Sequence, residues 1–106
     1  MAQLNIQLLG TLQITLDGNP LTGFATDKAR ALLAYLALEN AHPLRRDALA
    51  TLLWPDQPEN KARQNLRQTL LYLRQTLKED DQCPFLLIDR ETVQLNPASD
   101  YRVDVA

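Results

Sequence analysis

The side chains with the most distinctive chemistry lie between Asn60 and Lys78, in the run NKARQNLRQTLLYLRQTLK. It carries five of the chain's eleven basic residues and none of its thirteen acidic ones. At 100° per residue, Arg63, Arg67, Arg74 and Lys78 fall within a sector of about 60°, with Asn60 among them. Gln64, Gln68 and Gln75 occupy the next sector, and Leu71 lies nearly opposite the apolar stripe. Arginine pairs bidentately with phosphate or guanine, Gln and Asn with adenine, and an exposed Leu meets a thymine methyl. This face therefore combines backbone-gripping and base-reading groups.

Solvated helix faces usually mix signs, because i,i+4 Glu to Lys pairs stabilise them. Here Arg63 repels Arg67 and Arg74 repels Lys78, each by a few tenths of a kcal/mol. A polyanion on that face would offset the repulsion. The other 87 residues hold six basic and thirteen acidic side chains, a formal charge of −7 that the net −2 conceals. A positive helix on a negative body implies double-stranded DNA as partner. The alternative is a protein-interaction module whose basic helix docks on an acidic partner, a reading that the overall acidity favours.

The elements that must position this face follow from apolar spacing. Ala62, Leu66, Thr69, Leu70, Leu73 and Leu77 share about 100° of arc, a core-facing stripe on a helix over about 58–79. Asp56 or Gln57 caps it, Pro58 suits its first turn, and Glu59 suits its positive end. Thr26 and Asp27 begin a helix over about 26–40, with Ala29, Leu32, Leu33, Leu36 and Leu38 turned inward. A short helix over about 45–54 buries Leu49, Leu52 and Leu53 and stops at Pro55, with Arg45 and Arg46 at its start.

Before the helices, Leu4, Ile6, Leu8 and then Leu12, Ile14, Leu16 alternate on either side of Gly10, and Asp17-Gly18-Asn19-Pro20 supplies a turn. An antiparallel sheet is expected over about 3–22, with a third strand near Leu21 that ends before Gly23. After the helices, Phe85–Asp89 and Thr92–Asn96 flank Arg90-Glu91 and read as a hairpin over about 85–96. Three helices, the third basic, followed by a hairpin make an α+β winged helix-turn-helix. Arg90 would stand at the wing tip.

The totals suit one domain with one core. No apolar run approaches the roughly 18–20 residues of a membrane span, and the N-terminus lacks a signal-peptide pattern, so a soluble intracellular protein without membrane partners is expected. Cys83 has no second cysteine for an internal disulfide, and His42 has neither Cys nor another His with which to bind a metal. No nucleophile neighbours a base and no glycine loop cradles phosphate, so neither an enzyme nor a cofactor is expected.

The segments QLNIQLLGTLQITLDG, KARALLAYLAL and RRDALATLLWPDQPENKARQNLRQTLLYLRQTL occur in the order of a known domain. The chain resembles the DNA-binding domain of SARP-type bacterial transcriptional activators, in the OmpR-type winged-helix group. LLWPD followed by ARQNLRQTLLYLRQTL is the most specific part. The resemblance implies a cytoplasmic regulator at the bacterial nucleoid that binds direct repeats of double-stranded DNA as a head-to-tail dimer and activates transcription. It places the recognition helix over Asn60–Lys78, phosphate contacts at Arg45 and Arg46, and RNA polymerase at the loop Pro55–Glu59. Residues 97–106 would begin a linker to an activation domain. The wing LLIDRETVQLN departs from the family pattern, having no glycine and two acids.

Overall fold

Period-two and period-3.6 apolar patterns become seven short strands and three helices in the computed structural model, which describes residues 3–8, 12–21, 26–77 and 84–104. Strands β1 (Leu4–Gln7) and β2 (Gln13–Leu16) pair antiparallel, with Leu4 opposite Leu16 and Ile6 opposite Ile14. All four side chains are buried, as the alternation predicts. The next strand, β3 (Asn19–Pro20), follows a turn in which Asp17 and Gly18 have φ of 53° and 82°. Two consecutive positive φ values mark the hairpin turn whose twist matches its strands, and Asp and Gly tolerate them. Pro20 sits in an edge strand, where its missing N–H costs no ladder bond. Leu21 lies just beyond β3, its N–H donating to the Ile14 carbonyl.

This sheet is mixed, which corrects the expectation of a purely antiparallel one. Tyr101–Asp104, expected within a linker, form a strand that pairs parallel with β1 from Leu4↔Tyr101 to Gln7↔Asp104. It is β7 in chain order, after a short strand between the first two helices and the two wing strands, and the sheet order is β3-β2-β1-β7. Tyr101 and Val103 are half-buried against the core while Arg102 and Asp104 face solvent. The physical reason is that β1 has an edge that β2 leaves unpaired, and this apolar-polar alternation fits it.

Helix α1 (Asp27–Leu38) starts at Thr26, whose Oγ1 accepts the Ala29 N–H at 3.1 Å. Helix α2 (Arg46–Leu53) follows the two-residue strand β4 (Leu44–Arg45), and α3 spans Glu59–Leu77. Lys28 Nζ donates to the Leu53 carbonyl, putting a cation at the negative end of α2. The α3 stripe Ala62, Leu66, Thr69, Leu70, Leu73 and Leu77 is buried in full, and Thr69 satisfies its hydroxyl on the Asn65 carbonyl. Two apolar assignments fail. Leu38 is 59% and Leu52 52% exposed. Leu52 lies about 100° around α2 from the centre of the Leu49, Ala50 and Leu53 face, so Ala50 takes the core place assigned to it.

Strands β5 (Leu86–Ile88) and β6 (Thr92–Leu95) form the wing, and β4 joins β6 to make a second sheet of order β4-β6-β5. Phe85, Leu86, Val93 and Leu95 bury their side chains in the same core as the helices and first sheet. Buried Asn96 closes the wing base: its Nδ2 donates to the Pro84 carbonyl and its Oδ1 accepts the Ala98 N–H. Trp54 packs half-buried on the core, so an aromatic anchor ends α2. Cys83 lies outside the described residues.

Candidate nucleic-acid interface

Three elements converge on one open cleft of about 540 Å³. Arg45, Arg46 and Asp47 line it from the start of α2, Arg63, Leu66 and Arg67 from α3, and Arg90 and Glu91 from the wing turn. The convergence has a backbone cause. β4 pairs with β6, Leu44↔Val93 and Arg45↔Thr92, so the start of α2 is stitched to the wing. The Arg46 N–H continues that stitching by donating to the Glu91 carbonyl at 2.7 Å.

The wing turn is closed by its own side chain. Asp89 Oδ1 accepts the Glu91 and Thr92 N–H groups at 2.8 and 2.7 Å, and its Oδ2 accepts the Thr92 hydroxyl at 3.0 Å. The Thr92 and Glu91 amide bonds, then the Thr92 hydroxyl and the charge of Arg46, hold the Asp89 carboxyl below the usual range. An Asp that bonds its own following amides closes this turn without a glycine. Arg90 is left exposed between them.

Acids interrupt the basic surface. Asp47 accepts Arg45 Nε and Nη2, both at 3.2 Å, and Glu59 Oε1 accepts Arg63 Nη2 at 2.6 Å. The bond from Arg45 and the Ala48 N–H lower the Asp47 carboxyl, with the charge of Arg63 adding to the effect. The same bond from Asp47 raises the Arg45 guanidinium. Both ion pairs are exposed to solvent, so each arginine can exchange its acid for another anion at little cost. Arg46 differs: its Nη1 donates to the Asp89 carbonyl at 2.8 Å.

The remaining candidates lie along α3 and do not line the cleft. Asn60, Gln64, Gln68 and Arg74 are exposed, and Leu71 is 54% exposed. Asn60 Oδ1 accepts the Lys61 N–H, and Gln68 Nε2 reaches Tyr72 Oη at 3.4 Å. From Arg63 to Arg74 is about 16 Å along the helix axis. Lys78 lies outside the described residues. Sequence reasoning missed Asp47 as part of this surface, and it counted Glu59 outside the basic run although its i,i+4 spacing from Arg63 was legible. Among the described residues no cluster of three His, Cys, Asp or Glu side chains could hold a metal ion, and no helix is long and apolar enough to cross a membrane.

Residues 23–92 match the family model described as transcriptional regulatory protein, C terminal. The chain belongs to this family. Its relatives include the transcriptional regulatory protein EmbR of Mycobacterium tuberculosis, 40% identical over 75 residues that make up 71% of this chain and 19% of EmbR. Transcriptional regulatory protein MoaR1 of the same organism is 35% identical over 72 residues, 68% of this chain and 23% of MoaR1. A solved structure of M. tuberculosis EmbR in complex with a low affinity phosphopeptide matches with a TM-score of 0.74 at 31% identity, covering 95% of this chain and 27% of that one. The chain thus spans about a fifth of the length of the curated relatives it matches. The OmpR-type winged helix and the kinship with SARP-type regulators that LLWPD and ARQNLRQTLLYLRQTL implied are those of this family. It is a family of transcriptional regulators.

Proposed function

We propose that this domain binds double-stranded DNA sequence-specifically and regulates transcription as an activator, with α3 in the major groove and the wing against the neighbouring backbone. The observation that carries the reading is the single cleft lined by five arginines from α2, α3 and the wing turn. Scattered solvated arginines would not converge from three elements onto one concavity. Arg63, Arg67, Arg74 and Lys78 would serve as phosphate or guanine contacts, joined by Arg45 and Arg90 on the backbone. Asn60, Gln64 and Gln68 would read base edges and Leu71 a thymine methyl.

Three further parts of the reading depend on the family resemblance. Direct repeats would align two copies head to tail, with half-sites about one helical turn apart. RNA polymerase would meet the loop Pro55–Glu59, whose five residues are all exposed. An activation domain would follow the winged helix, and the whole would act at the bacterial nucleoid.

The test is the salt dependence of binding to random duplex DNA. Log affinity against log salt should fall with a slope of about −0.9 for each phosphate neutralised, becoming shallower by about one on removal of Arg67. Gln64→Ala or Gln68→Ala should relax sequence preference and spare non-specific affinity. Absence of binding at low salt would refute the DNA reading. It would favour the interaction module, for which Asp47, Glu59 and Glu91 among the arginines offer a mixed-charge face.

A further inference from the structure

Arg46 is the one arginine of the cleft whose bonds run to the wing backbone. Its N–H donates to the Glu91 carbonyl at 2.7 Å and its Nη1 to the Asp89 carbonyl at 2.8 Å. These two carbonyls bracket Arg90, the residue the turn leaves exposed. Arg46 is half-buried, whereas Arg45, Arg63, Arg67 and Arg90 are exposed. From these relationships we infer that Arg46 is a positioning residue. It latches the wing tip to the start of α2 and holds Arg90 across the cleft from Arg67, so that each grips a backbone phosphate of its own; this rests on the DNA reading above.

The physical case is geometric. A turn joining two short strands, β5 of three residues and β6 of four, is weakly fixed by its own ladder. The Asp89 side chain shapes the turn internally but does not say where it points, since its carboxylate bonds all stay within Asp89–Thr92. Core packing of Leu86, Val93 and Leu95 seats the two strands, while the direction of the turn relative to α3 comes from the β4–β6 pairing and from Arg46. A guanidinium reaching from the first turn of α2 supplies a second tether next to the backbone one. Two tethers fix a direction where one leaves a hinge. Without the side-chain tether, Arg90 would sample positions in which its charge is solvated and screened away from the cleft.

A double-mutant cycle in the full chain separates this role from direct contact. Salt-dependent binding to random duplex is measured for wild type, Arg46→Ala, Arg90→Ala and the double variant, with thermal melting confirming that each is folded. Each single variant should lose about one unit of log-log slope, because either change removes the Arg90 contact. The double variant should lose no more than either single one. A loss of about two units in the double variant would overturn the inference, since Arg46 would then neutralise a phosphate of its own. An unchanged slope in Arg46→Ala would overturn it as well. Should Arg46→Ala fail to fold, Arg46→Met takes its place in the same cycle, keeping the half-buried stem without the donor. Failure of wild type to bind at low salt is a separate outcome and refutes the DNA reading together with this role.

Discussion

Glu59 and Arg63 stand one turn apart on α3, with Oε1 of the acid 2.6 Å from Nη2 of the arginine. The pair makes Glu59 a tethered competitor for any phosphate that Arg63 would hold. Both side chains are well over half exposed, a setting in which such pairs are worth about 0.2–1 kcal/mol. Glu59→Gln should therefore raise affinity for random duplex roughly 1.5- to 5-fold near 0.1 M salt, with the gap closing as salt rises. Fluorescence anisotropy with labelled duplex measures it. Equal or weaker binding would mean that the acid does not compete.

The wing turn supplies a pH dependence. Asp89 accepts two N–H bonds and a hydroxyl bond as a carboxylate, which lowers its carboxyl relative to the unfolded chain. A lowered folded value means that its stabilisation is complete above the unfolded value near 4 and is lost as pH falls through the folded one. In an NMR titration the Glu91 and Thr92 amide resonances should hold steady down to about pH 4, then move together. Asp89→Asn keeps an acceptor oxygen but cannot titrate, so it should flatten that response. A response that persists in this variant would assign it to another group.

What the sequence disclosed and what it concealed differ in physical origin. The six buried positions of α3 were legible because nineteen residues sample the 3.6-residue period five times, which defines one face. The eight residues of α2 sample it barely twice, so Leu52 and Ala50 could not be ranked without knowing where α3 and β4 lie. Strand β7 was hidden because its partner, β1, stands nearly the whole chain away and four residues of alternation are a weak signal. The charge sector on α3 was legible. Its meeting with Arg45, Arg46 and Arg90 was not, since the packing of α2 on α3 and the β4–β6 pairing of Leu44 with Val93 and Arg45 with Thr92, distant in sequence, bring them together.

Strand β7 makes a second stability prediction. Ending the chain at residue 99 removes four paired positions beside β1 and the half-buried Tyr101 and Val103. Lost apolar burial and the exposed β1 edge should together cost roughly 2–4 kcal/mol, lowering the melting midpoint by about 10–25 °C. A linker would have left the midpoint unchanged. Below the transition, duplex binding should persist, because β7 contributes no residue to the arginine cleft. Calorimetry followed by a cold binding assay checks both halves.

Leu71 and Leu73 divide α3 into a face for the core and a face open to solvent. Leu73 is fully buried, while Leu71 is 54% exposed two residues earlier. Leu73→Ala should cost about 2–5 kcal/mol in urea unfolding, as deletion of a packed leucine does. Leu71→Ala should shift stability by less than about 0.5 kcal/mol, because alanine is at least as good a helix former and little buried surface is lost. That neutrality gives the second variant its value. Any change in its binding is then a change in contact. If Leu71 packs on a thymine methyl, affinity for a duplex selected from a random pool should drop about 3- to 10-fold, the worth of roughly one buried methylene group or two. Affinity for non-specific duplex, held by the arginines through phosphate, should stay within error. An equal loss on both duplexes would show that Leu71 shapes the surface without reading a base.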